Sequence, residues 1–146
     1  MKNLVIHVPN LNMLSKRDPA KYGTLTMTDI NQHLQVIASE LGCELDFFQS
    51  NHEGTIIDFL QLVSSRVAEG IIINSGALVR YGYSLRQALV DLSKPVIEVH
   101  MSDIHRTGIN QAVHVFDDVR VYQIVGLKEN SYYEALKKLV FLLRME

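Results

Sequence analysis

The sequence predicts a doubly wound α/β fold, a five-stranded parallel sheet in the flavodoxin-like order 2-1-3-4-5 with helices on both faces. Three observations lead there. Short β-rich apolar runs alternate with amphipathic helical stripes along the chain. The run Ile71-Ile72-Ile73-Asn74 is too uniformly apolar to face water on either side, as a central parallel strand requires. No repeat, low-complexity tract or Pro/Gly-rich linker divides the 146 residues, so residues 1–146 read as one domain. A chain of this length buries roughly 70% of its unfolded surface, enough for a core without disulfide or metal staples.

Leu4-Val5-Ile6, inside 2–8, marks the first strand. Thr26–Leu41 places Ile30, Leu34, Ile37 and Leu41 on one stripe, with a capping-box pattern from Thr26 to Asp29 at its start and Gly42 at its end. Residues 45–49 form the next strand, and Ile56, Phe59, Leu60, Val63 and Val67 mark one helix that Gly70 closes. After the central strand come a helix over 83–92, strands over 95–100 and 119–125, and a closing helix over 131–145. Between Asn10 and Gly23 lies a long loop carrying Lys16, Arg17, Asp18, Pro19 and Tyr22. Loops of that length in compact domains are functional or disordered, and the functional reading is a lid over roughly 10–23.

Composition narrows the function classes. The formal charge of −2 comes from 14 basic and 16 acidic residues without large blocks, which gives no footprint for nucleic acid. Nothing is long and apolar enough to cross a membrane. Cys43 has no partner for an intramolecular disulfide and no apolar N-terminal run precedes a cleavage site, so a cytoplasmic protein is expected. The six histidines raise metal binding, but His100 and His105 are five apart across a loop and neither H-E-x-x-H nor paired cysteines occur. Gly76 and Gly82 form no dinucleotide or P-loop fingerprint, and no G-x-S-x-G elbow is present. The expectation is a small-molecule partner, with no metal and no cofactor. His7, His33, His52 and His114 read as structural or surface residues, with His52 capping the second helix beside Asn51.

In open parallel sheets ligands bind beyond the strands' carboxyl ends, near the point where strand order reverses. Asn10, Gln49, Asn74 and His100 all fall at or just after predicted strand ends, so four polar positions converge on one edge. Glu98 and His100 stand at i and i+2 of a strand and share a face, where a carboxylate can hold an imidazole in one tautomer, as a general acid requires. The same pair equally describes a structural hydrogen bond. A tyrosine acting as a base near neutrality needs its phenolate stabilised by about two pH units, roughly 2.7 kcal/mol, which a neighbouring guanidinium can supply. Arg17 and Tyr22, five apart in the loop, fit that pairing, and on spacing alone they also fit ordinary surface residues.

Three segments carry more than their individual residues. His7-Val8-Pro9-Asn10-Leu11-Asn12-Met13-Leu14 with Arg17 and Tyr22-Gly23, then Gln49-Ser50-Asn51-His52-Glu53-Gly54, then Ile97-Glu98-Val99-His100-Met101-Ser102, resemble the type II 3-dehydroquinate dehydratases in order and spacing along almost the whole chain. The resemblance implies the same flavodoxin-like fold and a hydro-lyase of the shikimate pathway that removes water from 3-dehydroquinate by anti elimination through an enolate. By resemblance, Tyr22 removes the proton beside the ketone, Arg17 activates it, and His100 protonates the departing hydroxyl with Glu98 orienting it. Asn10 fixes a water beside the enolate, Asn74 bonds the reacting hydroxyl, and Ser102 with neighbouring backbone N–H groups, Met101 among them, cradles the carboxylate. Gly76, Arg80, Gln87, Arg106 and Gln111 complete the implied substrate contacts. The resemblance also implies trimers assembled into a dodecamer.

The chain departs from that pattern in the first loop and at substrate contacts. His7-Val8 replaces Asn-Gly, so the first loop loses a glycine that permits close backbone approach. Arg80 replaces a histidine, Gln87 an aspartate that in the family reaches into a neighbouring subunit's site, and Thr107 and Gln111 stand where arginines are usual, with Arg106 one position away. The proton-transfer residues are intact while those recognising the ring's far hydroxyls change. Two further readings therefore stand beside the dehydratase: a related lyase or isomerase on another cyclic keto or hydroxy carboxylate, with Arg80 binding an additional anionic group, and a non-catalytic ligand-binding homologue.

Overall fold

The computed structural model describes residues 1–105 and 113–145. Five strands, β1 (Lys2–His7), β2 (Glu44–Gln49), β3 (Gly70–Asn74), β4 (Val96–His100) and β5 (Tyr122–Val125), form one parallel sheet in the order β2-β1-β3-β4-β5. The chain starts at β1, adds β2 on one side and then crosses over to lay down β3, β4 and β5 on the other. The reversal point therefore lies between β1 and β3, whose last residues His7 and Asn74 are register partners. Every residue of β3 and β4 is buried, as the apolar run at 71–73 requires of strands covered on both faces.

Helices α2 (Met27–Leu41) and α6 (Asn130–Arg144) pack together, α2 against β2 and α6 beneath β3, β4 and β5. On the other side α3 (Glu53–Leu60) pairs with α5 (Tyr83–Leu92). The expected capping box at α2 is complete: Asp29 N donates to Thr26 Oγ1 and Thr26 N to Asp29 Oδ2, each at 3.0 Å. Gly42 ends the helix in the left-handed region at φ 73°, where a Cβ would be strained.

Three expectations are corrected. The long loop is partly helical: a 3-10 turn spans Leu11–Met13, and α1 (Pro19–Tyr22) is a single turn whose first N–H groups are met by Asp18, which accepts from Ala20 N at 3.0 Å. Leu11 and Leu14 sink into the core and pin the segment. The single helix expected over 56–67 is broken, with α3 ending at Leu60 and a separate turn, α4, over Val63–Arg66. Side chains meet the carbonyls at the break, Ser65 Oγ donating to Phe59 O at 2.6 Å and Arg66 to Gln61 O at 3.0 and 3.2 Å, so Leu62 turns to extended backbone. The last strand begins only at Tyr122, because 116–120 close into a turn with Val119 and Arg120 N both donating to Phe116 O.

A polar chain runs through the buried interior. His7, fully buried at the end of β1, donates from Nε2 to Asn31 Oδ1 on α2 at 2.8 Å and meets the hydroxyl of fully buried Tyr132 on α6 through Nδ1 at 2.9 Å. Burial pushes the imidazole down to about 4, against a smaller upward pull from the Asn31 bond. Between about pH 4 and 6.5 the unfolded chain binds a proton here that the folded one refuses, so stability falls as pH falls through that window. From this group alone the loss approaches about 3 kcal/mol. Urea unfolding of the wild type and His7→Leu is expected to show their stability difference changing by that order between pH 6.5 and 4. A difference independent of pH contradicts a neutral His7.

Candidate active site

The strand ends beside the reversal point surround a cavity of about 320 Å³. Asn10, Asn74 and His100 line it from the ends of β1, β3 and β4, and Gly76, Met101 and Ser102 from the turns that follow. Arg17, Tyr22 and Arg80 complete the predicted residues brought here, and Lys21 joins them. Among the described residues, three basic side chains line this cavity and no carboxylate does. Such a wall favours an anionic ligand. A larger hollow, about 680 Å³, lies beyond the N-terminal ends of β3 and β4 near Glu69, Lys94 and Pro95, away from these groups.

The first loop accommodates Val8 where the resemblance leads to a glycine. Val8 is fully buried and its N–H donates to Asn74 O at 3.3 Å, and the left-handed residue of the loop is Asn10 at φ 74°. Asparagine tolerates that conformation better than most residues. The second motif holds this loop from outside: Asn51 Oδ1 accepts from Asn10 N at 2.9 Å and from Gln49 Nε2 at 3.2 Å. Glu53, from the same motif, accepts from Leu85 N at 3.1 Å and satisfies the first turn of α5. Gln49 is thus a support and not a lining residue. His52 makes no side-chain cap; its N–H donates instead to Ser50 Oγ at 3.0 Å.

Arg17 and Tyr22 meet as the loop expectation requires. The guanidinium lies over the phenol ring, 3.9 Å from its centroid, and donates to the hydroxyl at 3.0 Å. The one-turn helix α1, started by Asp18 and Pro19, brings Tyr22 back to Arg17.

Glu98 is fully buried beneath His100. Its Oε2 accepts from His100 Nε2 and Ser75 Oγ, each at 2.8 Å, and its Oε1 from Gln123 Nε2 at 2.9 Å. Arg120 Nε lies 3.1 Å from Oε1 as an ion pair, without the direction of a hydrogen bond. Burial raises the Glu98 carboxyl, but the bonds from His100, Ser75 and Gln123 together outweigh it and hold the group below the usual carboxylate range. The ionised carboxylate places the imidazole proton on Nε2, with Ser75 Oγ a further 3.2 Å neighbour, and leaves Nδ1 as the ring nitrogen those groups do not engage. Gln123 Oε1 in turn lies 2.9 Å from His105 Nε2, and the His105 and His114 rings stack at 5.2 Å.

Asn74 is held on both sides of its amide. Oδ1 accepts from Gly76 N at 3.2 Å and Nδ2 donates to Tyr132 Oη at 2.9 Å. Gly76 has φ 50°, and a Cβ there would stand 3.0 Å from Val8 Cγ2. Gln87 is not brought to the cavity: it lies on α5 and donates to Asp91 Oδ1 at 2.9 Å. Arg106 and Gln111 lie outside the described residues. Sequence reasoning missed Lys21, Ser75, Gln123, Arg120 and Tyr132. Ser75 directly follows the central strand, but its bond to Glu98 arises only from pairing β3 beside β4. Among the described residues, no group of three His, Cys, Asp or Glu side chains is arranged to hold a metal. No described helix is long and apolar enough to cross a membrane.

Comparison with known proteins agrees with this architecture. The family model described as dehydroquinase class II matches residues 1–140. The 3-dehydroquinate dehydratase of Roseiflexus castenholzii is 48% identical over 140 residues, covering 96% of this chain and 88% of the relative. That of Halothermothrix orenii is 44% identical, covering 96% and 94%. The crystal structure of type II dehydroquinase from Butyrivibrio crossotus superposes with a TM-score of 0.89 at 36% identity, covering 95% of this chain and 97% of that one. With its sheet order, its strand-end cavity and these matches along nearly the full length, the chain belongs to the dehydroquinase class II family of enzymes.

Proposed function

We propose that the protein is a 3-dehydroquinate dehydratase that removes water through an enolate. The observation that carries this reading is that Tyr22 with Arg17 and His100 with Glu98 serve one cavity walled, among the described residues, by cations and no carboxylate. The substrate is an anionic cyclic keto acid, and Arg17, Lys21, the Ser102 turn and the backbone N–H groups beside Met101 suit its carboxylate.

Tyr22 takes the proton from the carbon beside the ketone. The electron pair left behind moves onto the carbonyl oxygen as an enolate, beside a water held by Asn10. Arg17 meets the charge on the phenolic oxygen with a charge-assisted hydrogen bond. As the enolate collapses, the hydroxyl leaves from the opposite face and takes a proton from His100, forming water and the conjugated enone acid 3-dehydroshikimate. Glu98 stabilises the imidazolium that precedes this transfer and fixes the ring. Asn74 bonds the departing hydroxyl, with Gly76 holding its amide. No step calls on a metal or redox cofactor. Arg106 and Gln111 remain proposed contacts from the neighbouring segment, and Gln87 a proposed contact across a subunit boundary.

One observation favours a second reading. Arg80 lines the cavity where a histidine is usual, and a permanent cation there suits a keto carboxylate bearing an additional anionic group.

The test is the ultraviolet appearance of enone from 3-dehydroquinate with the wild type, Tyr22→Phe and Arg80→His. Turnover by the wild type, reduced about 10²–10⁴-fold or more in Tyr22→Phe, is the expected result. Turnover only after Arg80→His shifts the assignment to a different keto carboxylate, and silence from all three contradicts the dehydratase reading. The same reading predicts trimers assembled into a dodecamer. Twelve chains of 16.6 kDa give about 200 kDa by light scattering, whereas a species of 16.6 kDa contradicts the assembly.

A further inference from the structure

We propose that Tyr132 is a positioning residue for catalysis, its hydroxyl held in one donor direction by His7 and Asn31 so that the Asn74 amide faces the substrate in one orientation. The inference rests on the dehydratase reading and deepens it at the departing hydroxyl. Four side chains from four elements form a continuous chain: Asn31 on α2, His7 on β1, Tyr132 on α6 and Asn74 on β3.

Each link constrains the next. Asn31 Oδ1 can only accept, so His7 carries its proton on Nε2. His7 Nδ1 is then a lone pair, and the Tyr132 hydroxyl must donate to it. With its proton committed, the Tyr132 oxygen accepts from Asn74 Nδ2. The Asn74 amide cannot reverse, because a reversed amide would turn Nδ2 toward the Gly76 N–H and set two donors against each other. The two structural bonds use one of its two N–H groups and one side of its oxygen. The second N–H is therefore presented in a fixed direction by a residue that lines the cavity.

The depressed proton affinity of His7 agrees with this arrangement, since a protonated ring would donate from Nδ1 and reverse the chain. The position bearing His7 is also one where this chain departs from the usual Asn-Gly, and His7 spans the distance between Asn31 and Tyr132. His7 stacks on Phe47 and tilts against Tyr132, so its ring plane is fixed as well as its proton.

The test is a double-mutant cycle on turnover of 3-dehydroquinate, with thermal unfolding of every variant. Tyr132→Phe removes only the hydroxyl and is expected to lower kcat about tenfold, the worth of one hydrogen bond, with KM changed less than about twofold. In an Asn74→Ala background the same substitution is expected to change kcat less than about twofold, because there is no amide left to orient. Asn31→Ala, at a half-buried site three hydrogen bonds from Asn74, is expected to lower kcat about threefold and to lose that effect in the same background. It carries the test by itself if Tyr132→Phe does not fold. An unchanged kcat in the folded variants, or a loss of equal size with and without Asn74, overturns the proposal. A wild type without turnover overturns the dehydratase reading and this inference together, whereas an active wild type with an additive cycle overturns this inference alone.

Discussion

The site is organised around one ionised carboxylate that water cannot reach. Placing Glu98 at zero exposure in the middle of a parallel sheet costs several kcal/mol unless its lone pairs are met. The sheet meets them: Ser75 arrives from the end of β3, His100 lies two residues along β4, Gln123 comes from β5, and Arg120 reaches back from the turn before it. Removing one partner leaves charge without compensation, so the network resists drift at each of its members. A histidine oriented by that carboxylate has one proton position and one ring direction. Structure and chemistry here depend on the same few bonds.

The rest of the cavity follows from how a doubly wound sheet ends its strands. Parallel strands that reverse order between β1 and β3 leave a crevice there, and the ends of β1, β3 and β4 deliver polar residues to it. Residues farther out hold those turns in place. Asn51 fixes the Asn10 turn, Glu53 starts α5 and Asp18 starts the single turn that returns Tyr22 to Arg17. The segments most suggestive in the sequence therefore divide into residues that face the cavity and residues that hold the first group still.

What the sequence made legible is what local rules decide. Uniformly apolar 71–73 identified the central strand, and Thr26 with Asp29 identified the start of α2. Asp18-Pro19 carried a helix-start signal that the long-loop reading passed over. The break after Leu60 was not legible, because Ser65 and Arg66 cap carbonyls that periodicity alone assigns to a continuing helix. Tyr132 shared its stripe with Ala135, Leu136 and Leu139, and nothing local separates a tyrosine that fills the core from one whose hydroxyl is spoken for. Ser75 and Gln123 became visible only when β3, β4 and β5 were placed side by side.

In the proposed mechanism the negative charge on Glu98, and not merely its shape, sets up the proton donor at His100. The most direct measurement is the turnover of 3-dehydroquinate by Glu98→Gln, nearly the same size but uncharged, alongside its thermal unfolding. The expected result is a cooperative transition and a fall in kcat of about 10²–10⁴-fold, the usual worth of a general acid. A folded Glu98→Gln protein that turns over as fast as the wild type would contradict it.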